Sequence, residues 1–142
     1  MDLATGALRH EPLPRPRADA IQHAIAALAG PSARTHAAAA RALAAVCDDP
    51  IAQAALLANL ANHPRVRTRA AVAGVIGRCG AAALVPLISA MERDASGLVR
   101  SEAALALGRL GESRARPALA RAAKSEDANL AWAAKAALKK LP

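Results

Sequence analysis

Hydrophobic positions in this chain recur at three- and four-residue spacing, and glycine or proline interrupts them at regular intervals. From Asp19 onward Ile21, Ile25 and Leu28 share one helical face until Gly30 and Pro31 break it, leaving Ser32 to cap the next helix. Asp49-Pro50, His63-Pro64, Gly80, Ser96-Gly97, Gly111 and the stretch from Ser125 to Asp127 punctuate the remainder of the chain. The pattern predicts eight helices, over 18–29, 33–47, 50–62, 65–79, 81–93, 98–110, 114–124 and 128–140. Ahead of them Pro12, Pro14 and Pro16 alternate, which disfavours a regular helix and favours an extended arm. The expected organisation is a proline-rich arm over 1–17 and one helical domain over 18–142.

The helices are copies of one another. Gly77 falls on Gly108, Ile76 on Leu107 and Leu138, and Gly80 on Gly111, each 31 residues apart. The alternate helices repeat in the same register, with apolar stripes Leu56, Leu57, Leu60, then Leu87, Ile88, Met91, then Ala118, Leu119, Ala122. Pro86 and Pro117 share that spacing and fall near helix starts, where a missing amide proton is tolerated. A helical hairpin of this size cannot bury its apolar face alone, so successive hairpins must stack. The expected fold is all-α, a right-handed α-solenoid of about four hairpins.

Composition narrows the packing. Alanine supplies 43 of the 142 residues, Phe and Tyr are absent and Trp occurs once, so the 54% hydrophobic content consists mostly of small helix formers that let helices approach closely. The chain is long enough for one domain with its own core. No window nears the roughly 20 apolar residues of a membrane span, and "LATGAL" is too short for the apolar region of a secretory signal. The cytoplasm is the expected compartment. The net charge of +8 is concentrated in the second half, where residues 65–142 carry fourteen Lys and Arg against six acids. Such an imbalance suits an acidic protein, a nucleic acid or an anionic lipid surface.

The stretch "VRSEAALALGRLGE" (Val99 to Glu112), followed by "RARPALARAA", resembles the short HEAT-like repeats of the phycobilisome-lyase type, and its weaker copies extend the resemblance over about residues 32–142. The resemblance implies a solenoid and leaves function broad: such repeats serve in scaffolds, adaptors, chromophore-lyase subunits, hydroxylases and DNA-binding proteins. In these repeats an Asp ahead of a helix often pairs with the Arg of the "VR" element, and Asp94 with Arg100 fits that pattern. Ala131 replaces the Arg in the last unit, and Arg34 has no Asp six residues ahead.

Candidate chemistry is sparse. The positions equivalent to Cys47 and Cys79 are Leu110 and Leu141, so both cysteines are expected to pack as reduced, small apolar side chains. Equivalent positions in stacked helices lie about 10 Å apart, too far for a disulfide. His10, His23, His36 and His63 show no spacing that would put two imidazoles on one helix face, so no metal site is expected. The lone His10-Glu11 pair lies in the arm, whereas HEAT-like hydroxylases hold their irons with several such pairs on helices. No cofactor motif and no triad pattern stand out, and an enzyme is not expected.

The basic residues form two sets. Arg78, Arg109 and Lys140 recur at 31 in the last turns of the first helices, where a cation favours the helix dipole. On the second helices, opposite the apolar stripes, stand Asn59 and Asn62, then Ser89 and Arg93, then Arg121 and Lys124, with Arg116 at the flank. This ridge is expected to line the concave face. Trp132 sits at the outward position of Ser101 and Ala70, either as an interface anchor or folded over the open end of the stack. The sequence therefore predicts a non-catalytic scaffold or adaptor that binds an acidic protein or peptide through Asn59, Asn62, Arg93, Arg116, Arg121, Lys124 and Trp132. The alternatives are nucleic-acid backbone binding through the same ridge and, from the resemblance, a chromophore-lyase subunit.

Overall fold

A computed structural model describes residues 15–142; the first fourteen positions of the expected arm lie outside the described residues. The described elements are helices throughout: α1 (Arg15–Ala27), α2 (Ala33–Ala45), α3 (Pro50–Asn62), α4 (Val66–Ile76), α5 (Leu84–Arg93), α6 (Gly97–Leu110), α7 (Arg116–Ala122) and α8 (Ala128–Lys140). Two of the predicted spans, those of α3 and α8, are met to the residue. At the N-terminus helix α1 already begins at Arg15, inside the span expected for the arm, and takes Pro16 into its first turn, where no intrahelical N–H bond is lost.

The other shifts also have local causes. The spans predicted from 81 and 114 each open with a single 3₁₀ turn, Ala81–Ala83 and Ser113–Ala115, before the α-helix proper begins. That turn brings Pro86 and Pro117 into the first turn of α5 and α7, where proline leaves the hydrogen-bond ladder intact. Side chains close the helix starts. Ser32 Oγ accepts from the Thr35 amide, Asp49 from that of Ile51, and Asp127 from those of Asn129 and Leu130. Gly111, at φ +74°, supplies the left-handed residue that stops α6.

The solenoid has two layers. Helices α4, α6 and α8 stack as one layer and α3, α5 and α7 as the other, with Leu56, Val72, Leu87, Met91, Val99, Leu107 and Leu119 wholly buried between them. Helix α1 closes the N-terminal end, packing Ile21, Ile25 and Leu28 into the same core. The first layer is drawn together by missing side chains: a Cβ on Gly77 would meet that of Ala106 at 2.9 Å, and one on Gly108 would meet that of Ala137 at 2.9 Å. Between successive helices of the second layer, grooves of about 210 and 410 Å³ stay open instead. In a curved stack the more closely spaced layer lies inside the arc. Helices α4, α6 and α8 therefore form the inner, concave layer, and the expectation that α3, α5 and α7 would line it is reversed.

Arginine ties the repeats together along the turns, in a different pairing from the one expected. Asp94 gives its carboxylate to Arg69 of the preceding repeat, at 3.0 Å from Nε and 3.1 Å from Nη2. Arg100 instead donates to the Asp94 backbone carbonyl at 2.8 Å and reaches forward to the Asp127 carboxylate at 3.5 Å. Arg69 repeats the same double duty, donating to the His63 carbonyl at 2.7 Å. Each arginine thus stitches its own turn to the next one, and Ala131 ends the series.

The cysteines depart from expectation most clearly: Cys47 and Cys79 form a disulfide with Cα atoms 5.6 Å apart. The repeat register misleads here, because neither residue lies within a helix. Helix α2 ends at Ala45 and α4 at Ile76, so both cysteines sit in the following turns, where the backbones converge inside the spacing of stacked axes.

Candidate binding surfaces

The residues singled out in the sequence divide between the two layers. Arg93, Arg121 and Lys124 are exposed on α5, α7 and the turn after α7, as the ridge requires. Their charges are not equally available. Arg121 donates to Glu92 at 3.0 Å, and Arg116 donates to the Pro142 carbonyl at 2.7 Å. Asn59 turns its amide onto the Ala55 carbonyl at 2.7 Å, whereas Asn62 is exposed at the end of α3. Arg93 lines the groove between α3 and α5 with Leu57, Leu60 and Pro86, and Arg121 the one between α5 and α7.

Trp132 stands apart from that ridge. It lies on α8 in the inner layer, 66% exposed and opposite the helix face that buries Leu130, Ala134 and Ala137. It shares this layer with Leu98, which is 50% exposed at the start of α6. These two apolar side chains flank a surface that sequence reasoning did not assemble.

A depression of about 510 Å³ lies in this surface where α2 stands away from α4. Ala70, Ala71 and Gly74 of α4 make its floor, small side chains that leave depth; Leu28 to Ala33 of the α1–α2 corner make one wall, and Leu98 and Glu102 of α6 the other. Arg67 and His36 border it. His36 is fixed by a 2.6 Å hydrogen bond between Nδ1 and the Leu28 carbonyl oxygen. The signal is present in the sequence, since Arg67, Leu98 and Asn129 stand 31 residues apart, but it concerns the helix face that a search for core stripes ignores.

Along the C-terminal edge of the inner layer run Arg78, Arg109 and Lys140, all exposed. Arg109 and Lys140 occupy last turns, whereas Arg78 lies two residues past the end of α4 and so outside the helix whose dipole was expected to favour it. Arg109 Nη2 lies 3.4 Å from the Gly74 carbonyl oxygen. Partial burial and the charge of Arg78 push the Arg109 guanidinium below its ordinary value, and Glu102 opposes them. Among the described residues, no ion pair engages Arg78, Arg109 or Lys140, while Asp49, Glu92, Asp94, Glu112 and Asp127 are paired with other arginines.

Among the described residues no three His, Cys, Asp or Glu side chains gather where they could share a metal, and no helix is long and apolar enough to cross a membrane. No curated protein matches the chain. A profile of HEAT repeats matches residues 53–139, from α3 to the end of α8, and the stacked hairpins over the same span have the arrangement that repeat implies: the chain belongs to the HEAT-repeat family.

Proposed function

We propose that this protein is a non-catalytic binding module whose inner layer holds an acidic segment of a partner protein. HEAT repeats commonly mediate protein interactions, and one observation carries the choice of surface. The 510 Å³ groove, the exposed Leu98 and Trp132 and, among the described residues, the cations Arg78, Arg109 and Lys140 that no ion pair engages all lie on or at the edge of the layer of α4, α6 and α8. Apolar anchors supply affinity, and surrounding cations supply orientation and rate of encounter. Glu102 is the only acid on the described inner faces of these helices, so the field there favours an anion.

The α5–α7 ridge is the second surface. Arg93 and Lys124 beside open grooves support it, while the counter-ion on Arg121 and the backbone bond held by Arg116 weaken it. Capture of partners by the immobilised protein, identified by mass spectrometry, decides between them. Leu98→Asp with Trp132→Ala is expected to abolish capture, and Arg93→Glu with Lys124→Glu to leave it intact. The opposite result moves the site to the ridge. Captured nucleic acid, with binding that falls steeply with salt, replaces the protein-binding reading by backbone binding.

A further inference from the structure

The open end of the stack is built differently from the interfaces within it. Gly77 and Gly108 mark the sides on which α4 receives α6 and α6 receives α8. Ala73 and Ala104, four residues ahead of those glycines and so on the same side, are fully buried. One turn further back stand Ala70, which is buried, and Ser101, whose hydroxyl is buried. The same three register positions on α8 carry Trp132, Lys135 and Lys139, all exposed. Small side chains thus stand where a helix is received, and large ones where, among the described residues, none is.

Trp132 is 66% exposed, so it projects from this end rather than folding over it. Positions 132, 135 and 139 share one face of α8, at i, i+3 and i+7, and span about 10 Å of the helix. Helix α8 contains no acid and adds Lys140 beside that face. The acids nearest in the chain, Glu126 and Asp127, precede its first turn, and Asp127 is engaged by Arg100. Among the described residues no ion pair engages Lys135 or Lys139. We infer that this end face of α8 is a second docking surface, taking an acidic segment of a partner protein that lays an apolar side chain on Trp132 and carboxylates on Lys135 and Lys139. This surface lies beyond the one given to the proposed function, whose groove is between α2 and α4, and the two share Trp132 alone.

Charge complementarity selects an acidic occupant, and an aromatic side chain set beside cations has the make-up of a protein-interface anchor, in which the ring supplies affinity and the charges select the partner. The other occupants fit less well. A second copy docked through the same face would set these lysines against each other, and like charges repel. A bilayer takes up an apolar helix face, and that of α8, with Leu130, Ala134 and Ala137, is buried in the core, which leaves Trp132 alone. A single strand of nucleic acid is held on successive aromatic platforms, and this chain has one aromatic residue.

Trp132 is the only tryptophan, so its emission reports on this face. The full chain is titrated at low ionic strength with a peptide of about twelve residues, glutamate and glutamine around one central leucine, long enough to cover the face whether helical or extended. Docking is expected to move the Trp132 emission to shorter wavelength and to shield it from a neutral quencher. Anisotropy of the labelled peptide is expected to show binding about tenfold weaker for Lys135→Glu with Lys139→Glu, and changed by less than about twofold for Arg34→Glu with Arg41→Glu, which alters the net charge equally on α2. Replacing the leucine by serine is expected to weaken binding by about tenfold as well. All four substituted positions are exposed, so these variants keep the fold, which circular dichroism verifies. A peptide that fails to bind, that binds without moving the Trp132 emission, or that is weakened equally by the two double variants overturns the inference. So does tighter, lysine-dependent binding of an oligothymidylate of equal charge or of vesicles containing phosphatidylserine, or dimerisation in sedimentation that Trp132→Ala abolishes. If binding needs Leu98 and ignores the lysines, this inference falls and the proposed function stands; if binding follows the lysines while partner capture ignores Leu98→Asp, the proposed function falls and this inference stands.

Discussion

Gly108 lies directly against Ala137: a Cβ on the glycine would come within 2.8 Å of the alanine's Cα and 2.9 Å of its Cβ. The same contact one repeat earlier joins Gly77 to Ala106. Two such contacts hold α4, α6 and α8 close together and set the spacing of that layer. An alanine-rich composition thereby becomes a geometric property of the inner layer.

Gly108→Ala consequently tests the spacing. Within a helix the change ordinarily stabilises, by about 0.5 to 1 kcal/mol, through backbone entropy. Here the added methyl meets backbone and has nowhere to move, so a loss of about 1 to 3 kcal/mol is expected in urea denaturation. Gly74→Ala is the control. Its Cβ would meet nothing closer than Arg109 Nη2 at 3.6 Å, the end of a flexible side chain, so this variant is expected to be neutral or stabilised. Two variants of equal stability would remove close approach as the cause of the spacing.

Leu107 tests the register. It is fully buried at the position shared with Ile76 and Leu138, between layers that alanine cannot refill. Leu107→Ala is expected to cost about 2 to 5 kcal/mol. A loss below about 0.5 kcal/mol would contradict the packing.

Much of this architecture is legible because the repeat supplies several readings of one element. Ile76, Leu107 and Leu138 agree on one helix face, and the glycine or proline after each run marks its end. Legibility fails where the register ceases to hold. The register projects Cys47 and Cys79 onto helical positions, but they stand in turns, which converge. The pattern of the HEAT-like repeats pairs Asp94 with Arg100, although its carboxylate reaches back to Arg69 across a boundary that sequence distance hides. The site is the least legible part. Periodicity identifies buried faces and already separates Trp132, on a first helix, from the ridge on the second helices, whereas deciding which of the two layers is the inner one requires knowing which layer the glycines draw together.

The disulfide predicts a covalent difference and a stability difference. Intact protein denatured without reductant is expected to take up no alkylating reagent, and after reduction to take up two equivalents. Cys47 and Cys79 are 32 residues apart, and closing a loop of that size lowers the entropy of the unfolded chain. Replacing both with serine is expected to cost about 2 to 4 kcal/mol. The loss should fall mainly on α1 and α2, because α2 lacks the glycine contacts that hold α4, α6 and α8 together. Hydrogen exchange that accelerates uniformly over all helices would refute that localisation.

Asp94 links the ladder to pH. Burial alone would raise its carboxyl, but the hydrogen bond from Arg69, the 2.9 Å bond from the Ser96 amide and the charges of Arg69 and Arg100 outweigh burial and hold it below the ordinary value near 3.8. A carboxyl with a lower pKa in the folded chain than in the unfolded one contributes stability in full above the unfolded value, and loses it as pH falls through the folded value. Asp94→Asn removes that dependence while keeping size and one acceptor. At pH 7 the variant is expected to be less stable by about 1 to 3 kcal/mol, since both partners of the pair are largely buried and Arg69 keeps its charge. Below about pH 4 the difference should shrink as the wild-type carboxyl takes up its proton. A gap that stays constant from about pH 7 down to about pH 2 would show that the ion pair contributes nothing beyond shape, and that the arginine ladder is held by its carbonyl bonds alone.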